Sequence, residues 1–155
     1  MFTLMGHGVG TDIIIARAWI NMYFSGSEHR YSEISESEIT SEVDRLRLAI
    51  KMLDKDFEDI SKSFKNSKTV DFDNLLDSHR LIVNDPLLVL ETEKRIADSL
   101  VNAECALIRQ LDHIIGEFSK ISNPYFQERK VDVEQIVGQL VKKLSLLDQT
   151  EKPKK

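Results

Sequence analysis

The chain has 155 residues, of which 41% are hydrophobic and 30% are charged, the length and composition of one globular domain with its own core. With 3 prolines and 6 glycines, long irregular stretches are not expected and a helical protein is favoured. The net charge of -5 argues against nucleic acid as a partner, and the single Cys105, expected to be half-buried, excludes an internal disulfide.

The amino-terminal residues predict one β-strand. Residues 13–15 are three isoleucines within a run from 11 to 20 that favours extended structure, and a glycine-rich turn precedes them. One strand cannot form a sheet, so its partners are expected outside this chain, in another copy or in a hairpin near Leu4. Charged residues bracket the apolar run, so neither a signal peptide nor a membrane span is predicted and a cytoplasmic location is expected.

Capping signals mark the starts of four helices. Ser35 and Glu38 form a capping box, and Ile34 and Ile39 stand at the two positions of a hydrophobic staple. The other three starts are the N-cap candidates Asp85 before Pro86, Asn102, and Asn123 before Pro124. A further helix is expected between a polar turn at 65–68 and Asn84.

Apolar residues recur at helical spacing after each start. In the first helix they form a continuous seam, which favours a coiled-coil-like hairpin with the next helix. The seam consists of Val43, Leu46, Ile50, Leu53, Phe57, Ile60 and Phe64. The third helix is expected to end near Leu100 and the fifth near Leu147. Because short connections make neighbouring helices antiparallel, the predicted fold class is all-α, an antiparallel bundle of about five helices with one amino-terminal strand left over.

The sequence contains no recognisable active site of its own. No histidine has a glutamate three residues before it, so the Glu-x-x-His pattern of di-metal bundles is missing, as are a phosphate-binding loop and a nucleophile elbow. We therefore predict no catalytic residue and no metal ligand in this chain. His79 lies between the apolar and polar faces of its helix, and the residues alone favour a structural role for it.

Three motifs follow one another over most of the chain. Residues 77–88 read Asp-Ser-His-Arg-Leu-Ile-Val-Asn-Asp-Pro-Leu-Leu, residues 102–104 read Asn-Ala-Glu, and residues 123–133 contain Glu-Arg-x-x-Asp-Val. Together they resemble the Enzyme I family of phosphoenolpyruvate-dependent phosphotransferases. Residues 8–18 also resemble a segment of that family, but Gly-Thr-Asp replaces its Ser-Pro-Gly turn, as in a diverged paralogue such as a nitrogen-branch member.

The resemblance implies a docking module without the chemistry. In Enzyme I proteins a histidine of an α/β swivelling domain takes a phosphoryl group from phosphoenolpyruvate and passes it to a small HPr-type carrier, which docks on a helical domain. The segment that bears this histidine and the phosphoenolpyruvate-binding barrel do not occur here. We therefore expect an isolated chain that is inactive and has no cofactor, with Mg²⁺ needed only by the absent carboxy-terminal barrel.

The resemblance also implies a division of the chain. Residues 1–34 would be the strand, left over from the absent α/β swivelling domain, and a linker. Residues 35–147 would be the carrier-docking bundle, and 148–155 a disordered tail or the start of a linker to the swivelling domain. The chain is expected to be a fragment of a longer protein.

By motif position, the resemblance predicts ten docking residues on the second to fifth helices. They are Phe72, Leu75, His79, Ile82, Asp85, Leu87, Leu88, Phe118, Phe126 and Arg129. Leu75 and Ile82 lie on the apolar stripe of their helix and have an equal claim to be core residues. Arg129 has an equal claim to hold a carboxylate of its own domain, whereas the resemblance favours the interface for His79.

The predicted partners are an HPr-type phosphocarrier and the parent's own swivelling domain, with no nucleic acid and no membrane insertion. The alternative is a helical adaptor or coiled-coil interaction domain that has no role in phosphotransfer. An adaptor would explain the apolar seam of the first helix equally well, but it would not explain the three motifs in order.

Overall fold

The computed structural model describes residues 32–63 and 70–151, and the fold of this part of the chain is all-α, as predicted. In these residues, a short 3-10 turn at Glu36–Glu38 precedes five helices, which are α1 (Ile39–Ser63), α2 (Val70–Val83), α3 (Pro86–Ser99), α4 (Ala103–Ser119) and α5 (Pro124–Glu151). The predicted strand at 11–20, Phe64, the turn at 65–68 and the last four residues lie outside the described residues.

The helices begin where the capping signals predict them. The backbone N–H of Ser35 donates to the Glu38 carboxylate at 2.8 Å, and the hydrogen bond from the Ser35 side chain holds the pKa of Glu38 below its usual value. Asp85 accepts a hydrogen bond from the backbone N–H of Leu87 at 2.8 Å, with Pro86 as the first residue of α3. Local cap chemistry therefore determines these boundaries.

The packing of the helices differs in one respect from the prediction. The apolar seam of α1 packs most extensively against α5, and the predicted hairpin with α2 is the lesser contact. Likewise, α2 packs on α1 and α5 more than on its sequence neighbour α3. The connection between α2 and α3 is only Asn84 and Asp85, and the extended backbone of Asp85 at ψ 124° turns the chain away from α2.

The core lies along the shared axis of the bundle. Its largest fully buried apolar side chains are Leu46, Leu53, Val83, Ile96, Val101, Leu107, Ile136, Val137, Leu140 and Leu144. The predicted seam is wrong at Ile60, which is 38% exposed, because helical periodicity fixes a face but not the point where the neighbouring helix stops covering it. Cys105 is half-buried as expected, and burial raises the pKa of its thiol.

The carboxy-terminal helix is longer than predicted. The predicted boundary of the bundle was 147, but α5 continues to Glu151, so the first four residues of the predicted tail or linker, 148–151, are helical. A carboxylate in this extension, that of Asp148, is bound by Arg45 of α1 at 2.9 Å, which ties the added turn to the bundle. Within 32–63 and 70–151, no helix is both long enough and apolar enough to cross a bilayer.

The chain enters the bundle through a short pairing with the connection between α3 and α4. The N–H of Ile34 donates to the carbonyl of Leu100 at 2.9 Å, and the N–H of Asn102 donates to the carbonyl of Ser32 at 3.0 Å. Leu100 ends α3 in the left-handed conformation at φ 48°, which is uncommon for a residue other than glycine. The pairing fixes residues 32–34 against the end of the bundle.

A buried ion cluster fastens the same end. Arg45 is 11% exposed and donates to Glu104 of α4 at 2.7 Å, to Asp148 of α5 at 2.9 Å and to Glu42 of α1 at 2.8 Å. Glu42 also accepts from the backbone N–H of Ala103, the first residue of α4. Burial alone would lower the pKa of Arg45, but the hydrogen bonds and charges of Glu104 and Glu42 outweigh it and raise that pKa.

Candidate functional site

An open cleft of about 280 Å³ lies at the opposite end of the bundle, where α2 and α4 end and α3 and α5 begin. Seven of the ten predicted docking residues line it, namely Ile82, Asp85, Leu87, Leu88, Phe118, Phe126 and Arg129. Six of them come from four different helices and Asp85 from the connection at 84–85, and they are brought together by the two short connections, 84–85 and 120–123. The motif positions thus converge on one surface feature.

The cleft has a buried floor and an exposed apolar rim. Leu88, Ile114 and Val133 form the floor, with side chains at most 7% exposed. On the rim, Leu81 is 75% exposed and Leu87 is 51% exposed. Large apolar side chains left in water at the mouth of an apolar depression are typical of a binding surface.

Aromatic rings in edge-to-face contact form one wall of the cleft. The rings of Phe118 in α4 and Phe126 in α5 meet edge to face with centroids 5.5 Å apart. The ring of Tyr125 also meets that of Phe126 edge to face, with a centroid distance of 5.6 Å. Edge-to-face contacts of this kind favour one relative orientation of the rings, so the start of α5 is held against the end of α4.

Arg129 is held at the mouth of the cleft by its own domain. Its Nε donates to the hydroxyl of Tyr125 at 3.0 Å, and its Nη1 donates to Asp132 at 3.3 Å. The guanidinium also lies 5.3 Å from the centre of the Tyr125 ring. The Tyr125 hydrogen bond, the nearby charge of Asp132 and the hydrogen bond to Asp132 raise the pKa of Arg129. The own-domain role considered for Arg129 is therefore present, and its side chain remains 31% exposed.

A second arginine near the cleft is paired as well. Arg80 in α2 forms two hydrogen bonds to Asp54 of α1, Nε to Oδ1 at 2.8 Å and Nη2 to Oδ2 at 3.2 Å. The hydrogen bond from Arg80 lowers the pKa of Asp54. By contrast, Asp77 and Asp85 are exposed at the corner between α2 and α3. Both arginines are thus paired within the domain, while these two carboxylates face solvent.

Three of the predicted docking residues are not among those that line the cleft. Leu75 is 48% exposed on α2, so it is not a core residue. His79 is half-buried, with its ring 5.7 Å from that of Phe57 in α1, and its buried Nε2 makes no hydrogen bond to the described residues. Phe72 is not among the residues whose side chains the structure describes.

Five cleft residues were absent from the predicted set, namely Ser78, Leu81, Ile114, Tyr125 and Val133. Leu81 carried a usable signal, because it is an apolar residue off the buried stripe of α2. Tyr125 lies within one of the motifs. In residues 32–63 and 70–151, no three histidine, cysteine or carboxylate side chains are grouped so that they could hold a metal ion.

The sequence of the chain matches a protein family and several known proteins. Residues 5–129 match the family model described as PEP-utilising enzyme, N-terminal. The chain is 33% identical over 145 residues to a phosphoenolpyruvate-protein phosphotransferase of Latilactobacillus sakei, covering 93% of this chain and 25% of that protein. It is 28% identical over 144 residues to the enzyme of that name from Cupriavidus necator, covering 93% of this chain and 24% of that enzyme.

The fold has a counterpart among solved structures. A solution NMR structure of Enzyme I superimposes with a TM-score of 0.68 at 21% identity, covering 75% of this chain and 47% of that chain. The chain spans about a quarter of the length of the curated relatives that it matches. Since the family model covers most of the chain, the chain belongs to the family of amino-terminal domains of phosphoenolpyruvate-utilising enzymes.

Proposed function

We propose that this chain is the docking module of a phosphoenolpyruvate-dependent protein phosphotransferase. It binds an HPr-type phosphocarrier and positions the carrier's histidine for transfer from a phosphohistidine on a swivelling domain. The main observation in favour of this proposal is the cleft, because seven of the residues predicted from the motifs lie together around it. The names of the relatives support a protein as the acceptor, and a protein acceptor needs a surface that orients it.

The size and shape of the cleft suit a protein surface better than a small ligand. Small-molecule sites commonly enclose about 300 to 1,000 Å³ and bury most of the ligand. This cleft has a volume of about 280 Å³ and is open. It is bordered by the exposed side chains of Leu81 and Leu87 on the rim and Tyr125 on the aromatic wall. We infer that the depression takes one or two bulky apolar side chains of the carrier while the rim covers the surface around them.

The charges around the cleft fit a basic partner. Arg80 and Arg129 are engaged by Asp54 and Asp132, whereas the Asp85 carboxylate is exposed. The resemblance to Enzyme I implies carriers with an apolar patch ringed by basic residues. Charge complementarity of this kind accelerates encounter and fixes orientation more than it adds affinity.

Docking without chemistry is physically sufficient for such a module. Phosphoryl transfer between two histidines needs in-line positioning more than covalent help from the surrounding protein, so a separate rigid surface can serve. The nitrogen-related branch, the cytoplasmic location and the need for Mg²⁺ elsewhere in the parent stay predictions.

The alternative function, a helical adaptor or coiled-coil interaction domain, was suggested by the apolar seam of α1, and most of that seam is buried. Leu46, Leu53 and Phe57 of the α1 seam are at most 5% exposed, because they pack within the bundle. They are therefore not available to a partner helix unless the bundle opens.

The first experiment is a titration of the isotope-labelled chain with HPr-type carriers, followed by NMR. We expect the largest amide shifts at Leu81, Leu87, Tyr125 and Arg129, with little change at the Arg45 end. Unchanged cleft signals with every carrier tried would refute the docking role. Stable histidine labelling of the isolated chain by radioactive phosphoenolpyruvate would refute the absence of chemistry.

A matched pair of variants tests where the carrier binds. Leu87→Ala removes a rim side chain that is 51% exposed, and Leu48→Ala removes one on α1 that is 47% exposed and not among the cleft residues. We expect Leu87→Ala to weaken carrier binding by about tenfold, as for an interface anchor, and Leu48→Ala to leave it unchanged. Equal effects of the two substitutions would mean that the carrier does not recognise the cleft.

A further inference from the structure

A fully buried polar side chain, Gln110, lies behind the first turn of α3, which lines the cleft. It belongs to α4, and its exposed fraction is 0%. Its Nε2 donates to the backbone carbonyl of Leu87 at 2.8 Å, and its Oε1 accepts from Nε of Arg95 at 2.7 Å. Burying an amide costs desolvation energy that an apolar side chain of similar size would avoid. The presence of a buried glutamine at this position therefore calls for an explanation beyond packing.

The chemistry of the partners fixes the orientation of this amide. A carbonyl can only accept, so the Leu87 oxygen must face the NH₂ group of Gln110. The Nε of Arg95 can only donate, so it must face Oε1. The two contacts agree, and the amide therefore forms a bridge from the middle of α4 to the first turn of α3.

Leu87 is consequently held through both of its peptide groups. Its N–H donates to the Asp85 carboxylate at 2.8 Å, and its carbonyl accepts from Gln110. The next carbonyl, that of Leu88, also accepts a buried side-chain donor, the hydroxyl of Thr92 at 2.6 Å. The first turn of α3 is thus fastened by side chains in addition to its helical hydrogen bonds, at the point where Leu87 and Leu88 line the cleft.

We propose that Gln110 is a positioning residue, which acts through the backbone of Leu87 to hold the first turn of α3, and with it this side of the cleft, in the geometry that receives the partner. Its effect on partner binding rests on the proposed docking function, whereas its effect on the first turn of α3 does not. A turn fixed before binding loses less conformational entropy on association, so the partner binds more tightly.

The direct test is hydrogen exchange in the chain without any partner. Gln110→Met keeps the volume and removes the donor, so the amides of Leu87, Leu88 and Val89 should exchange about tenfold faster relative to that of Leu140 in the core. Arg95→Met is the matched control. It leaves the buried Oε1 of Gln110 without its donor and lowers stability, but it leaves the contact to Leu87 intact, so the exchange ratio should not change.

The second test is binding of HPr-type carriers by calorimetry. Gln110→Met should weaken the affinity about threefold to tenfold, and Arg95→Met should leave it near that of the unmodified chain. Should Gln110→Met fail to fold, Gln110→Glu is measured instead, since an ionised carboxylate still accepts from Arg95 but cannot donate to Leu87.

The outcomes separate the two proposals. An unchanged exchange ratio in the Gln110 variant, or an affinity equal to that of the unmodified chain, would overturn the positioning role. Suppose that Gln110→Met speeds exchange at Leu87 but the unmodified chain binds no carrier. That result would support the placement of Leu87 by Gln110 and overturn the docking function. Equal effects of the Gln110 and Arg95 variants on affinity would reduce Gln110 to a purely structural residue.

Discussion

Arg45 near the start of α1 donates to Glu104 at the start of α4 at 2.7 Å, a contact between residues 59 positions apart. The same guanidinium reaches Glu42 and Asp148, so one cation holds three carboxylates at the end of the bundle. Removing the cation leaves these carboxylates close together and partly buried. We expect Arg45→Met to lower the free energy of unfolding by about 3 to 5 kcal/mol, measured by urea denaturation.

The control is a lysine near the end of the same helix. Lys62 pairs with Glu58 one turn before it, and their side chains are 57% and 48% exposed. An exposed ion pair contributes little because water screens it, so Lys62→Met should leave the free energy of unfolding nearly unchanged. A similar loss for both substitutions would show that burial does not set the importance of the Arg45 cluster.

The pair of Asp54 and Arg80 predicts an acid dependence of stability. The hydrogen bond from Arg80 lowers the pKa of Asp54 in the folded chain, so the folded state binds fewer protons than the unfolded state as the pH falls. The stabilisation is therefore complete above the unfolded pKa of about 4 and is lost as the pH drops through the lowered folded pKa.

Asp54→Asn should accordingly cost about 1 kcal/mol at pH 7, and the difference from the unmodified chain should shrink as the pH falls below about 4. Urea denaturation between pH 7 and pH 2 measures this difference. A cost for Asp54→Asn that stays constant over the whole range would contradict the linkage.

Gly116 offers a simple gain in stability. It lies in the last turns of α4, is exposed, and an added Cβ would meet nothing within 4 Å. Alanine restricts the unfolded chain more than glycine does and fits the helix, so Gly116→Ala should raise the free energy of unfolding by about 0.5 to 1 kcal/mol. Thermal unfolding should show a higher midpoint, and a lower one would indicate that this turn is not a regular helix in solution.

Asp85 combines a structural role with a charge beside the cleft, and two substitutions separate them. Asparagine caps helices as well as aspartate does, so Asp85→Asn should keep the contact to Leu87 and the stability. Asp85→Ala should lose about 1 kcal/mol of stability with the cap. If the docking proposal holds, both substitutions should lower the association rate constant with a basic carrier at low salt. An unchanged rate constant for both would show that the charge of Asp85 does not contribute to recognition.

The helix starts could be predicted from the sequence because they depend on neighbouring residues. Asp85 and Pro86 define the start of α3 by chemistry within one turn, and Asp85 also lines the cleft. The motif positions led to Ile82, Leu88 and Phe126, which the fold brings together around that cleft, and their part in docking stays a prediction.

Other features depend on contacts between distant parts of the chain, which the pattern of one helix does not contain. Periodicity placed Ile60 on the apolar face of α1, but within residues 32–63 and 70–151 the neighbouring helices leave it 38% exposed. Periodicity also left open whether Leu75 is core or surface. The buried roles of Arg45 and Gln110 were not predicted, because each depends on a distant partner: Arg45 binds Asp148, 103 residues away, and Gln110 binds Arg95, 15 residues away.

The pairing of Ser32 and Ile34 with the connection between α3 and α4 determines how a mechanical load would enter the domain. A pull on the chain at Ser32 acts first on the peptide hydrogen bonds of Leu100 and Asn102, and not on the first turn of α1. The side-chain amide of Asn102 donates to Glu104 at 2.9 Å, so the load passes next to the carboxylate that Arg45 holds. The bundle is therefore anchored at the corner that the Arg45 cluster cross-links, at the end remote from the cleft.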